Sequence, residues 1–392
     1  MGSKQAAYIP LAEPQFKGNE WKYVKECLDS GWVSSAGPFI KRFENEFAAF
    51  VGAPYAVAAA SGTAALHTAL LAVGVRPGDE VLVPDLTFIA PANAVRYCGA
   101  FPVFMDVDAK TWHMDVEKTE RFLNEECESR KGECTNKKSG RRVRAMIPVH
   151  ILGLACEIDR LVEIARRHGL KVVEDAAEAL GVRYKNRHVG CFGDAAAFSF
   201  NGNKIMTTGG GGMIVTTNQE ISRYTAYLTT QAKDDSAEYF HKETGFNYRL
   251  SNIQAALGLA QLEQLQGFIA RKRQIAAAYN KAFARFNGIT PMPVIPQAEP
   301  TYWLYTILLK AKTPMDQRQD FIRRLEEKGI GARPLWHTLS DLPPFADCRA
   351  FEIEQSVDLY RRAVSLPSST GLSDEDLKRC LSAVTQLAAH DA

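Results

Sequence analysis

Apolar residues recur every three or four positions in some stretches of this chain and run unbroken over four or five in others. Residues 21–29 and 39–50 carry the first pattern and read as helices, the former ending before Gly31. A short apolar run spans 56–59. Beyond Ser61-Gly62-Thr63, the residues Ala64, Leu66, Ala69, Leu70 and Val73 fall at helical spacing, with Ser61 as a natural N-cap. From there the patterns alternate. Strands are expected at 80–84, 101–105, 144–149, 170–174, 195–200 and 213–217, and helices at 87–97, 158–168 and 219–229. Such alternation predicts an α/β fold with a mainly parallel sheet, whose carboxyl-end loops are where ligands sit.

The stretch 124–144 is a hydrophilic insert of both charge signs. Its basic part, 137–144, suits phosphate or nucleic acid, but a solvated surface loop or hairpin explains it as well. Ser251 and Gln254 fit a capping box. They open a long amphipathic helix through Ile253, Ala256, Leu257 and Ala260, running towards Phe286. The proline-rich stretch 291–300 then looks like a crossing into a second domain. The expected division is a large domain over 1–268 and a smaller C-terminal one over 269–392. Helices are expected there at 316–327, 354–363 and 373–389, with extended segments near Thr306 and Ala332.

Composition narrows the function. The chain has 392 residues and a net charge of +2, so no strong field favours nucleic acid or an anionic membrane. No apolar run approaches a transmembrane length, and residues 1–10 lack a signal pattern, so a cytoplasmic location is expected. The eight cysteines form no CxxC pair and no zinc spacing, which predicts free thiols and no metal.

Four short signals carry candidate chemistry. Ser61-Gly62-Thr63 at a helix start offers N–H groups to a phosphate, though it also reads as a plain cap. The strand through Val172 and Val173 delivers Asp175, with Glu178 just beyond, to its carboxyl end. Asp175 there suits a protonated ring nitrogen, or simply caps the next turn. Ser199 lies near the end of the next strand, and Lys204 follows it. A lysine just past a buried strand is partly desolvated, which favours Schiff-base chemistry over the usual exposed fate. The glycines 209–212 precede a strand, so they match neither GxGxxG nor the P-loop and read as a tight turn. Finally, Asn247 and Arg249 precede the capping box and suit phosphate or substrate, or an ordinary loop.

Taken together, SGTAAL, TFIAPANA, EDAAEALG, FSFNGNK, GGGGMIVT and NYRLSNIQAALGLAQLEQL resemble the DegT/StrS sugar aminotransferases, over nearly the whole chain. The resemblance implies a fold-type I pyridoxal-phosphate (PLP) aminotransferase. Its sheet would be seven-stranded and mostly parallel, flanked by helices, with a smaller C-terminal α+β domain. It would form a homodimer with shared active sites. Lys204 matches the Schiff-base lysine, Asp175 the partner of the pyridine nitrogen and Phe88 the aromatic stacked on the ring. Gly62, Thr63 and Ser199 match phosphate contacts, and Asn247 matches one donated by the other subunit. Position 178, often Gln or His in the family, is Glu178 here and would contact the cofactor.

Residues 17–21, 31–37, 136–141 and 228–233 look like the legionaminic-acid-pathway subgroup. That likeness implies amination of C4 of a nucleotide-linked 2-acetamido-4-keto-6-deoxy hexose, with L-glutamate as donor and PLP cycling with its amine form, PMP. Trp32, Ser34 and Ser35 would be sugar-nucleotide contacts or interface packing. Arg249 and Arg333 would bind the donor carboxylate or the pyrophosphate, or lie on the surface. A GDP-perosamine-type 4-aminotransferase and a non-catalytic PLP-binding regulator are the alternatives.

Overall fold

The computed structural model describes residues 7–130, 132–235, 237–284, 286–310 and 315–390. Residues 1–6, where the leader pattern was sought, lie outside them. The strands are β1 Tyr55–Ala59, β2 Glu80–Pro84, β3 Phe101–Met105, β4 Cys127–Arg130, β5 Glu133–Asn136, β6 Arg142–Met146, β7 Lys171–Asp175, β8 Arg183–Tyr184, β9 Arg187–His188, β10 Ala195–Ser199, β11 Gly212–Thr216, β12 Ile289–Pro291, β13 Ala298–Glu299, β14 Tyr305–Leu309, β15 Arg333–Pro334, β16 Arg349–Phe351 and β17 Ala363–Leu366. The helices are α1 Glu20–Ser30, α2 Pro38–Val51, α3 Gly62–Ala72, α4 Ala90–Tyr97, α5 Val116–Arg121, α6 Ile158–Arg167, α7 Gln219–Thr229, α8 Asn252–Phe283, α9 Met315–Glu327, α10 Gln355–Arg362 and α11 Asp374–His390.

Seven strands form the centre of the large sheet in the order β1-β11-β10-β7-β6-β2-β3. All these pairings are parallel except the two made by β11. The sheet is covered on both faces, so β2 and the antiparallel β11 are buried at every position. The sheet is wider than the seven strands expected. β16 adds in parallel beyond β3, and β4 and β5 extend from β6, giving ten strands among the described residues.

The hydrophilic insert is thus a hairpin with a buried side. Cys127, Cys134 and Asn136 are enclosed, and the Asn136 amide donates to Glu80 Oε2 at 2.7 Å. Two of its basic residues are structural. Arg142 pairs with Asp79 at 2.7 Å, and Arg144 Nη2 donates to the Val73 carbonyl at 2.6 Å. All eight cysteines are free thiols.

Two helix expectations shift. The helix expected from 87 begins at Ala90, because Pro91 sets its first turn and residues 87–89 leave β2 as a bend. The helix expected to reach 363 stops at Arg362, where the chain straightens to pair β17 with β14. The capping box forms as expected, with Ser251 and Gln254 exchanging bonds. It starts α8, 32 residues long, which passes residue 268 unbroken. α8 packs on α1 and α2 at one end and reaches β12 at the other. There a second sheet runs β12-β14-β17-β15. No described helix is long and apolar enough to cross a membrane.

The entry to α8 is locked by one ion pair. Arg249 Nη1 lies 2.7 Å from Glu44 Oε1, which also accepts the Ala58 N–H at 2.9 Å. The pair joins α2, the end of β1 and the 245–250 loop. Replacing Glu44 by alanine strands a part-buried guanidinium and a buried N–H. The variant is expected to lose about 3 kcal/mol of stability, read as a lowered urea midpoint. An unchanged midpoint would show the pair to be dispensable.

Candidate active site

A cavity of about 360 Å³ opens at the carboxyl ends of β2, β7 and β10. Strand geometry decides what reaches it. Successive residues of β7 point to opposite faces. Asp175 therefore lines the cavity, while Glu174 turns away into a closed network. Glu174 accepts N–H bonds from Gly190, Phe192 and Gly193 and lies 3.0 Å from His150 Nε2. Burial opposes its charge, yet His150 and those N–H groups hold its pKa below the usual carboxylate value.

Asp175 has a different environment. Burial lifts its pKa to about 6, against the Ala177 N–H at 2.9 Å and the nearby Lys204. Glu178 is also buried and its pKa is raised by desolvation, an effect that Lys204 opposes. Its Oε2 accepts the Leu152 N–H at 2.8 Å, and its Oε1 lies 3.3 Å from Lys204 Nζ. The Lys204 side chain is only 12% exposed. Its other neighbour is the indole of Trp303, whose ring centre is 3.8 Å from the amine.

Opposite these groups stands the N-terminus of α3. Ser61 Oγ accepts the Ala64 N–H at 3.0 Å, so the earlier first-turn N–H groups, those of Gly62 and Thr63, are the open donors of the helix. Gly62 permits a close approach, since a Cβ there would stand 2.8 Å from Ser199 Cβ. Gly212 supports the same turn from β11, where a Cβ would stand 2.5 Å from the Ser61 carbonyl oxygen. Gly210 and Gly211 line the cavity, as a tight turn beside a ligand would. Phe88, half exposed, also lines it, just beyond the end of β2.

The structure therefore brings together Gly62, Thr63, Phe88, Asp175, Glu178, Ser199 and Lys204. It does not bring the remaining candidates to the same cavity. Asn247 is exposed, its backbone bridged to Thr230. Trp32, Ser34 and Ser35 are exposed in the loop that the start of α8 holds, with Asn252 bonded to the Trp32 and Ser34 carbonyls. Arg249 is engaged by Glu44, and Arg333 is exposed in β15. Trp303 and Trp336 are among the lining residues that were not anticipated. They stand far along the chain outside any recognisable motif, and an aromatic beside a short strand was the only hint. Among the described residues, no group of three or more His, Cys, Asp or Glu is placed to hold a metal ion.

A sequence model of the DegT/DnrJ/EryC1/StrS aminotransferase family matches residues 14–385. The chain belongs to this family. The GDP-perosamine synthase of Caulobacter vibrioides is 40% identical over 380 residues, covering 97% of this chain and 98% of its own. That of Escherichia coli O157:H7 is 40% identical over 371 residues, covering 94% and 96%. Among solved structures, Spr1654 from Streptococcus pneumoniae in its PMP form superposes with a TM-score of 0.88 at 26% identity, covering 98% of each chain. It has also been solved in a PLP form.

DegT-family aminotransferases are PLP-dependent, and this protein is a sugar aminotransferase of that kind. The cavity fits the cofactor chemically. It offers an enclosed amine, a buried carboxylate and a helix N-terminus, matching an aldehyde, a ring nitrogen and a phosphate. Gly212→Ala tests the last of these. The added methyl group meets backbone, so the Ser61–Gly62 turn must move. Cofactor affinity is expected to fall roughly tenfold with the fold retained. The check is titration of the visible absorbance of bound cofactor, and an unaltered affinity would exclude the turn as its phosphate site.

Proposed function

We propose that this protein transfers the amino group of L-glutamate to C4 of a nucleotide-linked 4-keto-6-deoxy hexose. The observation that carries the reading is the grouping of Lys204, Glu178 and Asp175 around one enclosed cavity, in a chain of this family. When bound, pyridoxal phosphate supplies an electron sink at the donor α-carbon. Asp175 would keep the ring nitrogen protonated. Gly62, Thr63 and Ser199 would hold the phosphate, and Phe88 would cover the ring. Lys204 would anchor the aldehyde. Once released, its amine takes the proton from the α-carbon of glutamate and later delivers one to C4 of the sugar. Glu178, 3.3 Å away, restrains the amine between these tasks.

Asn247, exposed and outside its own cavity, fits a contact donated to a second copy in a homodimer with shared sites. Trp32, Ser34, Ser35 and Arg333 suit the same partner-facing role. Arg249 is committed to Glu44 and drops out of the substrate contacts.

For the sugar, the GDP-linked perosamine-type substrate has the stronger support, because relatives 40% identical over almost their full length are named for it. The 2-acetamido sugar of the legionaminic-acid pathway is the second reading, supported by the motifs at residues 31–37 and 228–233.

Lys204→Ala should fold, lose the visible absorbance of anchored cofactor and lose turnover by on the order of 10³-fold or more. Retained turnover would place the anchoring amine elsewhere. With the unaltered protein, addition of glutamate alone should abolish that absorbance, which a non-catalytic binder would not do. A panel of GDP- and UDP-linked 4-keto sugars should then give amination with the GDP-linked substrate in preference. Preference for the UDP-linked 2-acetamido sugar would establish the second reading.

A further inference from the structure

One buried amine takes no part in the chemistry described so far. Lys272 lies on α8, and the residue is 4% exposed. Its Nζ donates to the carbonyl of Trp303 at 2.7 Å and to that of Ser368 at 2.6 Å. Both are neutral main-chain acceptors, and burial pushes the Lys272 pKa down to about 7. An enclosed amine held only by carbonyls is costly to bury, so its placement asks for a reason.

The two carbonyls belong to chain segments that meet. Trp303 stands just ahead of β14 and Ser368 just past β17, and these strands pair with Tyr305 opposite Leu366. Lys272 therefore ties the leading end of β14 and the trailing end of β17 to the long helix.

Trp303 carries this restraint to the cavity. Its Nε1 donates to the Asn203 carbonyl at 2.7 Å, one residue before Lys204. The backbone N–H groups of Thr301 and Tyr302 bond the Gly153 carbonyl at 2.9 and 3.3 Å. The indole is thus fixed at its backbone and at its edge. Its face meets the Lys204 amine, whose distance to the ring centre is 3.8 Å, while Glu178 Oε1 lies 3.3 Å from the same amine. An aromatic face this close attracts an ammonium group.

We propose that Lys272 is a positioning residue for Lys204, acting through Trp303, whose indole face it holds against the reacting amine. The catalytic meaning rests on Lys204 being that amine, but the test needs no turnover. The full chain, stripped of cofactor, is treated with a small amine-reactive ester, and modification of Lys204 is followed by peptide mass mapping.

Trp303→Leu should speed labelling of Lys204 on the order of threefold to tenfold, the loss expected for a cation–π contact. Lys272→Met should act in the same direction, and the double variant should label no faster than Trp303→Leu alone, because the two residues form one chain of contact. The exposed Lys22 serves as a reference whose rate should stay fixed.

If Lys272→Met lowers stability but leaves the Lys204 rate unchanged, or if the two effects multiply, the proposal is overturned. So is it if Trp303→Leu leaves the rate unchanged. Should Lys272→Met fail to fold, Lys272→Gln takes its place in the same comparison. A chain that binds no cofactor would defeat the proposed function, while these rates would still decide the inference.

Discussion

The contact between Lys204 and Glu178 is the interaction on which the site depends. An amine and a carboxylate are kept from water together, at the edge of a sheet covered on both faces. Either would be costly there alone, and the raised pKa of Glu178 expresses that cost. Their separation of 3.3 Å makes burial tolerable, and the indole ring centre of Trp303 lies 3.8 Å from the same amine. In the proposed role of covalent anchor, Lys204 would have to be available yet unable to wander, and this pairing suits both demands.

Around it, the fold separates carboxylates by purpose. Glu174 and Asp175 are adjacent, yet the strand sends them to opposite faces. Glu174 enters a saturated network with His150 and three backbone N–H groups and acts as structure. Asp175 receives one such bond and faces the cavity, where a cationic partner would relieve its burial. The same economy governs the end of the cavity at the start of α3. Gly62 and Gly212 let a helix start, a strand end and a strand beginning meet at distances that any side chain would forbid.

Much of this was legible in the residues, and the boundary of legibility is physical. Asp175 and Ser199 end apolar strands, and Glu178 and Lys204 follow those strands by a few residues, so local pattern placed all four on the carboxyl edge. Thr87 and Phe88 were read as helix because their apolar spacing continues into α4. The bend that brings Phe88 to the cavity depends on Pro91 and on where β2 stops. The strands of two or three residues, such as β8, β9 and β15, are too short to show a period. Trp303 lies about a hundred residues from Lys204, and Glu44 lies 205 residues from Arg249. Contacts of that kind are created by tertiary packing, and no window along the chain contains both partners.

β16 has a consequence for how the molecule is made. It lies against β3 with Arg349 opposite Val103, so the sheet edge at β3 finds its neighbour only after some 246 further residues have been added. During synthesis on the ribosome that edge stays uncovered while most of the chain emerges, and an open parallel edge invites pairing with other chains. Closure of the large sheet is therefore a late event, and a chain truncated before residue 349 would leave a permanently adhesive border.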